Sequence, residues 1–111
     1  MKIKEDIRKR PAQFIDLCEN HKVKNIHAFG STVNGKFKET SSDVDLLVEI
    51  DTENPIERGE NLMQLWDGFE NFFHRKVDLL TASSIKNPIL RKNIDSTKIM
   101  IYDRGDKKVL F

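Results

Sequence analysis

The run VDLLVEI at 44–50 constrains the fold more than any other part of the sequence. Valine, leucine and isoleucine dominate it, which is typical of a strand that is buried on at least one face. Three further segments have strand character, and helical or polar segments separate all four. These are VKNIHAF at 23–29, KVDLL at 76–80 and KIMIY at 98–102. The alternation predicts an α/β fold, a small mixed β-sheet of about four strands flanked by helices.

Helical periodicity fills the remaining segments. Residues 3–20 carry apolar side chains at roughly helical spacing, and Pro11 marks either a kink or a true helix start. A longer helix is predicted for 56–74 and a short one near 89–94. The longer helix has a broad aromatic and aliphatic stripe. Packing against the sheet is the simplest interpretation, although the width of the stripe at 62–73 also admits a protein-binding surface.

Length and charge narrow the class of protein. A chain of 111 residues suits one domain, 1–111, with one core. The net charge of +1 provides no general basic field for nucleic acid, so no direct nucleic-acid partner is expected. No apolar run is long enough to cross a membrane, and no secretory signal opens the chain. The one cysteine, Cys18, is expected to be a small buried side chain, and a cytoplasmic location follows.

A glycine-rich loop follows the first predicted strand. Residues 30–36 fit the spacing G-x-x-x-x-G-K of a phosphate-binding loop in NTPases. That loop needs Ser or Thr after its lysine to bind Mg²⁺, and it must open a long amphipathic helix. Here Phe37 follows Lys36, and the next residues are polar and turn-like. The NTPase interpretation is therefore rejected, and Lys36 is expected to be a solvated loop lysine.

Acidic residues lie at the start of the strongest strand and in the next one. Asp43 and Asp45 are two residues apart, so strand alternation puts both side chains on one face. Carboxylates held that close repel each other and either raise a pKa or bind a cation such as Mg²⁺. Asp78 interrupts an apolar strand. If that strand lies beside 44–50, Asp78 completes a cluster of three carboxylates.

Gly30 and Ser31 supply groups that bind phosphate. A short helix is expected to begin at Ser31, where backbone N–H groups and the hydroxyl can hold phosphate oxygens. Gly30 allows close backbone approach because it has no side chain. No such role is predicted for Thr32 or Ser42. With the three acids, these residues predict a phosphoryl-transfer site with two Mg²⁺ ions.

At this point the chain resembles a known family. The pair Gly30-Ser31, then Asp43-x-Asp45, then Asp78 on a later strand, is similar to the minimal nucleotidyltransferases (MNT type) of the DNA polymerase beta superfamily. The resemblance extends along nearly the whole chain. The spacing between Ser31 and Asp43 is slightly longer than is common in that family.

The resemblance implies a function as well as a fold. Proteins of this size resemble the antitoxin of HEPN/MNT toxin–antitoxin systems, which transfers AMP from ATP to a tyrosine of a cognate HEPN-type ribonuclease toxin (AMPylation). It implies that Asp43 and Asp45 bind Mg²⁺, and that Asp78 shares a metal and is the general base for the acceptor hydroxyl. The number of AMP groups transferred is left open, and a homo- or hetero-oligomer is compatible with the resemblance.

Other interpretations stay open at the level of sequence. Asp43 can cap a turn, and Asp78 can pair with Arg75 or Lys76. The chain can also be a catalytically weak module that neutralises its partner by steric contact. A third interpretation is a nucleotidyltransferase with a small-molecule acceptor, although the chain leaves little room for the helical domain that such enzymes usually add.

Overall fold

A computed structural model describes residues 2–33 and 43–105, together with the backbone of 108–109. The described helices are α1 (Lys2–Lys9), α2 (Pro11–Asn20), α3 (Pro55–Phe73) and α4 (Pro88–Thr97). The strands are β1 (Val23–Ala28), β2 (Val44–Ile50), β3 (Val77–Leu80), β4 (Ile99–Asp103) and β5 (Lys108–Val109). Two short 3₁₀ turns lie at Gly30–Thr32 and Ala82–Ser84. The predicted α/β class and the four predicted strands are confirmed.

The strands form one mixed sheet with the order β3-β2-β1-β4-β5. β2 and β3 are parallel, whereas β1 is antiparallel to both β2 and β4. A parallel pair needs a crossover, and α3 provides it between β2 and β3. The two-residue β5 at the edge was not predicted, because so short a segment in a polar tail has no strand periodicity of its own.

The sheet has two unequal faces. α1, α2 and α3 cover the first face, and their side chains share one core with inward residues of β1 to β4. Phe14 lies at its centre, with its ring stacked 5.5 Å from that of Phe69. Among the described residues, the second face, called here the open face, carries a smaller cluster in which Phe29, Ile85 and Ile94 pack together. The open face is therefore available for a functional site.

Two helix predictions are refined by the structure. The segment 3–20 forms two helices, because Arg10 leaves the helical region at φ −140° and Pro11 starts α2 at its first turn. The stripe at 62–73 is core: Leu65, Phe69, Phe72 and Phe73 are all buried. The protein-binding interpretation of that stripe is wrong for these four side chains. Among the described residues, no helix is long and apolar enough to span a bilayer.

Candidate active site

The three predicted acids come together at the same end of two neighbouring strands. Asp43 directly precedes β2, Asp45 lies within β2, and Asp78 lies within β3. The parallel register pairs Asp45 with Asp78. Along β2 the residues on either side of Asp45, Val44 and Leu46, are buried in the core, so Asp45 points to the open face. The expectation that the two strands are adjacent is confirmed.

α3 holds β3 in this position. The Trp66 indole Nε1 donates a hydrogen bond to the Val77 carbonyl oxygen at 2.7 Å. The Val77 N–H donates to the Glu70 carboxylate at 3.0 Å. Both bonds fix the backbone one residue before Asp78. The position of Asp78 is therefore set by the same helix that closes the core.

Asp45 is the electrostatic centre of the site. Partial burial raises its pKa to about 6, and the negative charges of Asp78 and then Asp43 add to that rise. A carboxylate that is destabilised in this way gains from a nearby cation. Within the described ranges, no group of three or more His, Cys, Asp or Glu side chains is arranged so that it could hold a metal ion without further ligands or movement. Mg²⁺ fits such an open donor set, because it usually keeps water and substrate phosphate as ligands beside one or two carboxylates.

The turn after β1 requires glycine. Gly30 has φ of +62°, in the left-handed region that other residues rarely adopt. A Cβ atom at this position would lie 3.0 Å from the Asp45 Oδ2 atom. Gly30 therefore serves both the backbone conformation and the close approach to Asp45. Ser31 follows in the same turn and is half-buried, and of the two predicted phosphate-binding residues Gly30 is the one that directly approaches an acid, Asp45.

Thr32 has a function that the sequence did not indicate. Its side chain is buried, with 2% of its surface exposed. Its Oγ1 atom accepts a hydrogen bond from the Asp45 N–H at 2.8 Å. Thr32 thus holds the glycine turn to β2 at the residue that carries the central carboxylate. No local sequence pattern predicts such a contact.

α4 forms the wall of a cavity next to this turn. The Thr97 Oγ1 atom accepts a hydrogen bond from the Gly30 N–H at 3.2 Å and donates one to the Asn93 carbonyl oxygen at 2.8 Å. The cavity has a volume of about 390 Å³. Its lining residues are Phe29, Gly30, Asp45, Leu90, Asn93, Ile94 and Thr97. Sequence analysis missed the four residues of α4, which is separated from Gly30 by most of the chain.

A second cavity of about 420 Å³ lies further along the open face. Side chains of β1 and β2, including His27, Leu47 and Glu49, line it together with Arg58 and residues 81–83. Leu47 follows Asp45 by two residues on the same face, and 81–83 follow β3. Asp45 thus lines the cavity beside α4, and the second cavity begins two residues further along β2, at Leu47.

Comparison with known proteins identifies the family. Residues 13–105 match the family model described as nucleotidyltransferase domain. This chain belongs to that family. The resemblance predicted from Gly30-Ser31 and the three acids is confirmed, and the chain is an enzyme of the nucleotidyltransferase class.

Two relatives of this nucleotidyltransferase come from Methanocaldococcus jannaschii, and both are named provisionally as protein adenylyltransferases. MJ1379 is 37% identical over 99 residues, which is 89% of this chain and 94% of the relative. MJ1215 is 43% identical over 84 residues, or 75% of this chain and 88% of the relative.

Solved structures share the fold of the nucleotidyltransferase. One, described provisionally as a minimal nucleotidyltransferase, has a TM-score of 0.60 at 26% identity and covers 86% of this chain and 92% of that chain. Another is a complex of a tri-AMPylated HEPN toxin with an MNT antitoxin from Shewanella oneidensis. It has a TM-score of 0.52 at 22% identity and covers 96% of this chain and 76% of that chain.

Proposed function

We propose that this nucleotidyltransferase uses Mg²⁺ to transfer AMP from ATP to a hydroxyl of a partner protein, and that it acts as an antitoxin. The acceptor is a tyrosine of a cognate HEPN-type toxin. One observation carries the proposal: Asp45 is paired in register with Asp78 and lies against the Gly30 turn. Carboxylates beside a close-approach glycine turn are the groups that a nucleoside triphosphate with bound Mg²⁺ requires.

Each residue has a distinct role in the proposed transfer. Gly30 and Ser31 bind the phosphates, and Asp43, Asp45 and Asp78 are the residues that would hold Mg²⁺. When bound, two Mg²⁺ ions supply positive charge to the triphosphate and to the leaving pyrophosphate. Asp78 accepts the proton of the acceptor hydroxyl. The acceptor oxygen then forms a bond to the α-phosphorus, and the bond from that phosphorus to the bridging oxygen of pyrophosphate breaks.

The choice of a protein acceptor rests on two supports. The relatives with 37% and 43% identity are named for protein adenylylation. In addition, a cavity lined by Leu47, two residues beyond Asp45 on the same face of β2, offers room for an acceptor side chain. A toxin partner is proposed by analogy with the complex from Shewanella oneidensis, in which the HEPN toxin is tri-AMPylated.

The test uses ATP labelled at either the α- or the γ-phosphate. The protein is co-incubated with Mg²⁺ and a HEPN-type toxin from its own genome, or with lysate of its own cells. Three proteins are compared: the unmodified protein, the Asp43→Asn/Asp45→Asn variant, and a matched control, Asp16→Asn/Asp67→Asn. Both control acids are exposed on helices away from the acids of the site.

We expect α label alone to enter one protein band, with the unmodified protein and the control but not with the active-site variant. Mass spectrometry of that band should find AMP on tyrosine. Entry of γ label would show a kinase-type reaction and overturn the proposal. Protection of cells from the toxin by the Asp43→Asn/Asp45→Asn variant would also overturn it, because neutralisation would then be steric.

A further inference from the structure

The cavity beside α4 differs from the rest of the site in its chemistry. Leu90, Asn93, Ile94 and Thr97 are spaced as one face of a helix, and all four line it. Phe29 and Ile94 are buried against each other and form apolar walls with Leu90. None of the described residues that line the cavity is cationic. The lining therefore suits a flat, uncharged group better than a triphosphate.

The position of the cavity indicates which part of a nucleotide would reach it. Gly30 and Asp45 form one end, and the α4 residues form the other. If phosphates bind at the Gly30 turn and Mg²⁺ at Asp45, as in the proposed function on which this inference rests, the nucleoside extends towards α4. The volume of about 390 Å³ is within the range of pockets that bury small ligands.

Asn93 is the polar group on this wall that can read a base edge. Within the described residues its side-chain amide makes no hydrogen bond, whereas its backbone carbonyl accepts from Thr97 and Ser96. The Thr97 hydroxyl in turn accepts from the Gly30 N–H. The backbone of Asn93 is thus fixed relative to the glycine turn, and its amide is left available for a ligand.

We propose that this cavity is the nucleobase subsite, and that Asn93 selects adenine. An amide offers one donor and one acceptor, which match N7 and the N6 amino group of adenine as a bidentate pair. Guanine presents two acceptors, N7 and O6, at the same edge, so the carbonyl oxygen of the amide would face another acceptor. The amide therefore favours ATP over GTP.

The experiment measures binding, so that it does not depend on transfer. Titration calorimetry with Mg²⁺ compares α,β-methylene analogues of ATP, GTP and 7-deaza-ATP. The last lacks only the N7 acceptor. The proteins are the unmodified chain, Asn93→Ala, Asn93→Asp and a control, Lys92→Ala, which changes an exposed α4 residue outside the cavity.

We expect the unmodified chain and the control to bind the ATP analogue roughly 10-fold or more tightly than the other two, which is within the discrimination of one bidentate pair. Asn93→Ala should remove most of the difference between ATP and 7-deaza-ATP, and Asn93→Asp, whose carboxylate has acceptors only, should weaken binding of the ATP analogue without improving that of GTP, because N7 and O6 of guanine are also acceptors. The same ratios in all four proteins would overturn the role of Asn93. Nucleotide binding without base preference in the unmodified chain would overturn the subsite alone, whereas no nucleotide binding at all would overturn the proposed function.

Discussion

Replacement of Asp45 by asparagine should stabilise the protein while it removes activity. The pKa of Asp45 rises from 3.8 to about 6 because the side chain is partly buried and faces Asp78 and Asp43. A rise of ~2 units corresponds to about 3 kcal/mol that the ionised carboxylate costs the folded state. Asp45 is only half-buried, so solvent screening reduces this cost, and we expect about 1–2 kcal/mol.

The dependence on pH distinguishes this cause from a general effect of substitution. At pH well below 3.8 the carboxyl group is protonated in both states and contributes no difference. Between the unfolded value of 3.8 and the folded value of about 6, the folded chain holds a proton that the unfolded chain has lost. The contribution of Asp45 therefore lowers stability as the pH rises through this window, and above about 6 the penalty is constant.

Urea unfolding in EDTA provides the assay. At about pH 7.5, the unfolding free energy of Asp45→Asn should exceed that of the unmodified protein by about 1–2 kcal/mol, and near pH ~3 the two values should coincide. Taking the difference between variants cancels groups such as Asp51 and Glu57, whose pKa values are lowered by Arg104 and Lys22. Asp67→Asn, on an exposed part of α3, is the control. The reasoning would be refuted if Asp45→Asn were no more stable than the unmodified protein at neutral pH. It would also be refuted if the difference in unfolding free energy did not change with pH.

Two substitutions test how the glycine turn is built. Gly30→Ala should destabilise the protein by about 1–2 kcal/mol, because alanine disfavours a left-handed backbone conformation. The contact of the new Cβ atom with Asp45 should also reduce AMP transfer. Urea unfolding measures the first effect and the α-label assay the second. Thr32→Val should cost about 1–3 kcal/mol, because the shape is kept while the Asp45 N–H loses its buried acceptor. Thr52→Val, whose hydroxyl donates to Glu57 in a more exposed setting, is the matched control; an equal loss in both variants would contradict a special role for Thr32.

The sequence predicted the parts of the site that depend on local periodicity. Alternation along 44–50 put Asp43 and Asp45 on one face, and the apolar run around Asp78 predicted a neighbouring strand; the register of β2 with β3 agrees. Pro11 predicted either a kink or a helix start, because its ring fixes φ and removes a donor, and in the structure α2 starts there.

The contacts that complete the cavity could not be predicted from local periodicity. Thr97 lies 67 residues from Gly30, with which it shares a hydrogen bond, and Thr32 reaches 13 residues to Asp45. A hydrogen bond from a backbone N–H to a hydroxyl so distant in sequence produces no periodic pattern in the sequence. Turn propensity explains why a threonine is found near a turn, but not which distant backbone group it contacts. Part of the loop, 34–42, lies outside the described residues, so the predictions for Lys36, Phe37 and Ser42 stay predictions.

The unequal coverage of the sheet explains why the acids lie where they do. α1 to α3 seal the first face, so any carboxylate there would be buried without a partner at considerable cost. On the open face, within the part of the chain that the structure describes, α4 packs around Phe29 and Ile94. Asp45 lies at the margin of that cover. It is buried enough for its pKa to rise, and so for a cation to be favoured, and it is exposed enough for a substrate to enter. Partial burial and access for a substrate are both met at the edge of a small apolar cluster. Ile94 of α4 forms such a cluster with Phe29 and Ile85.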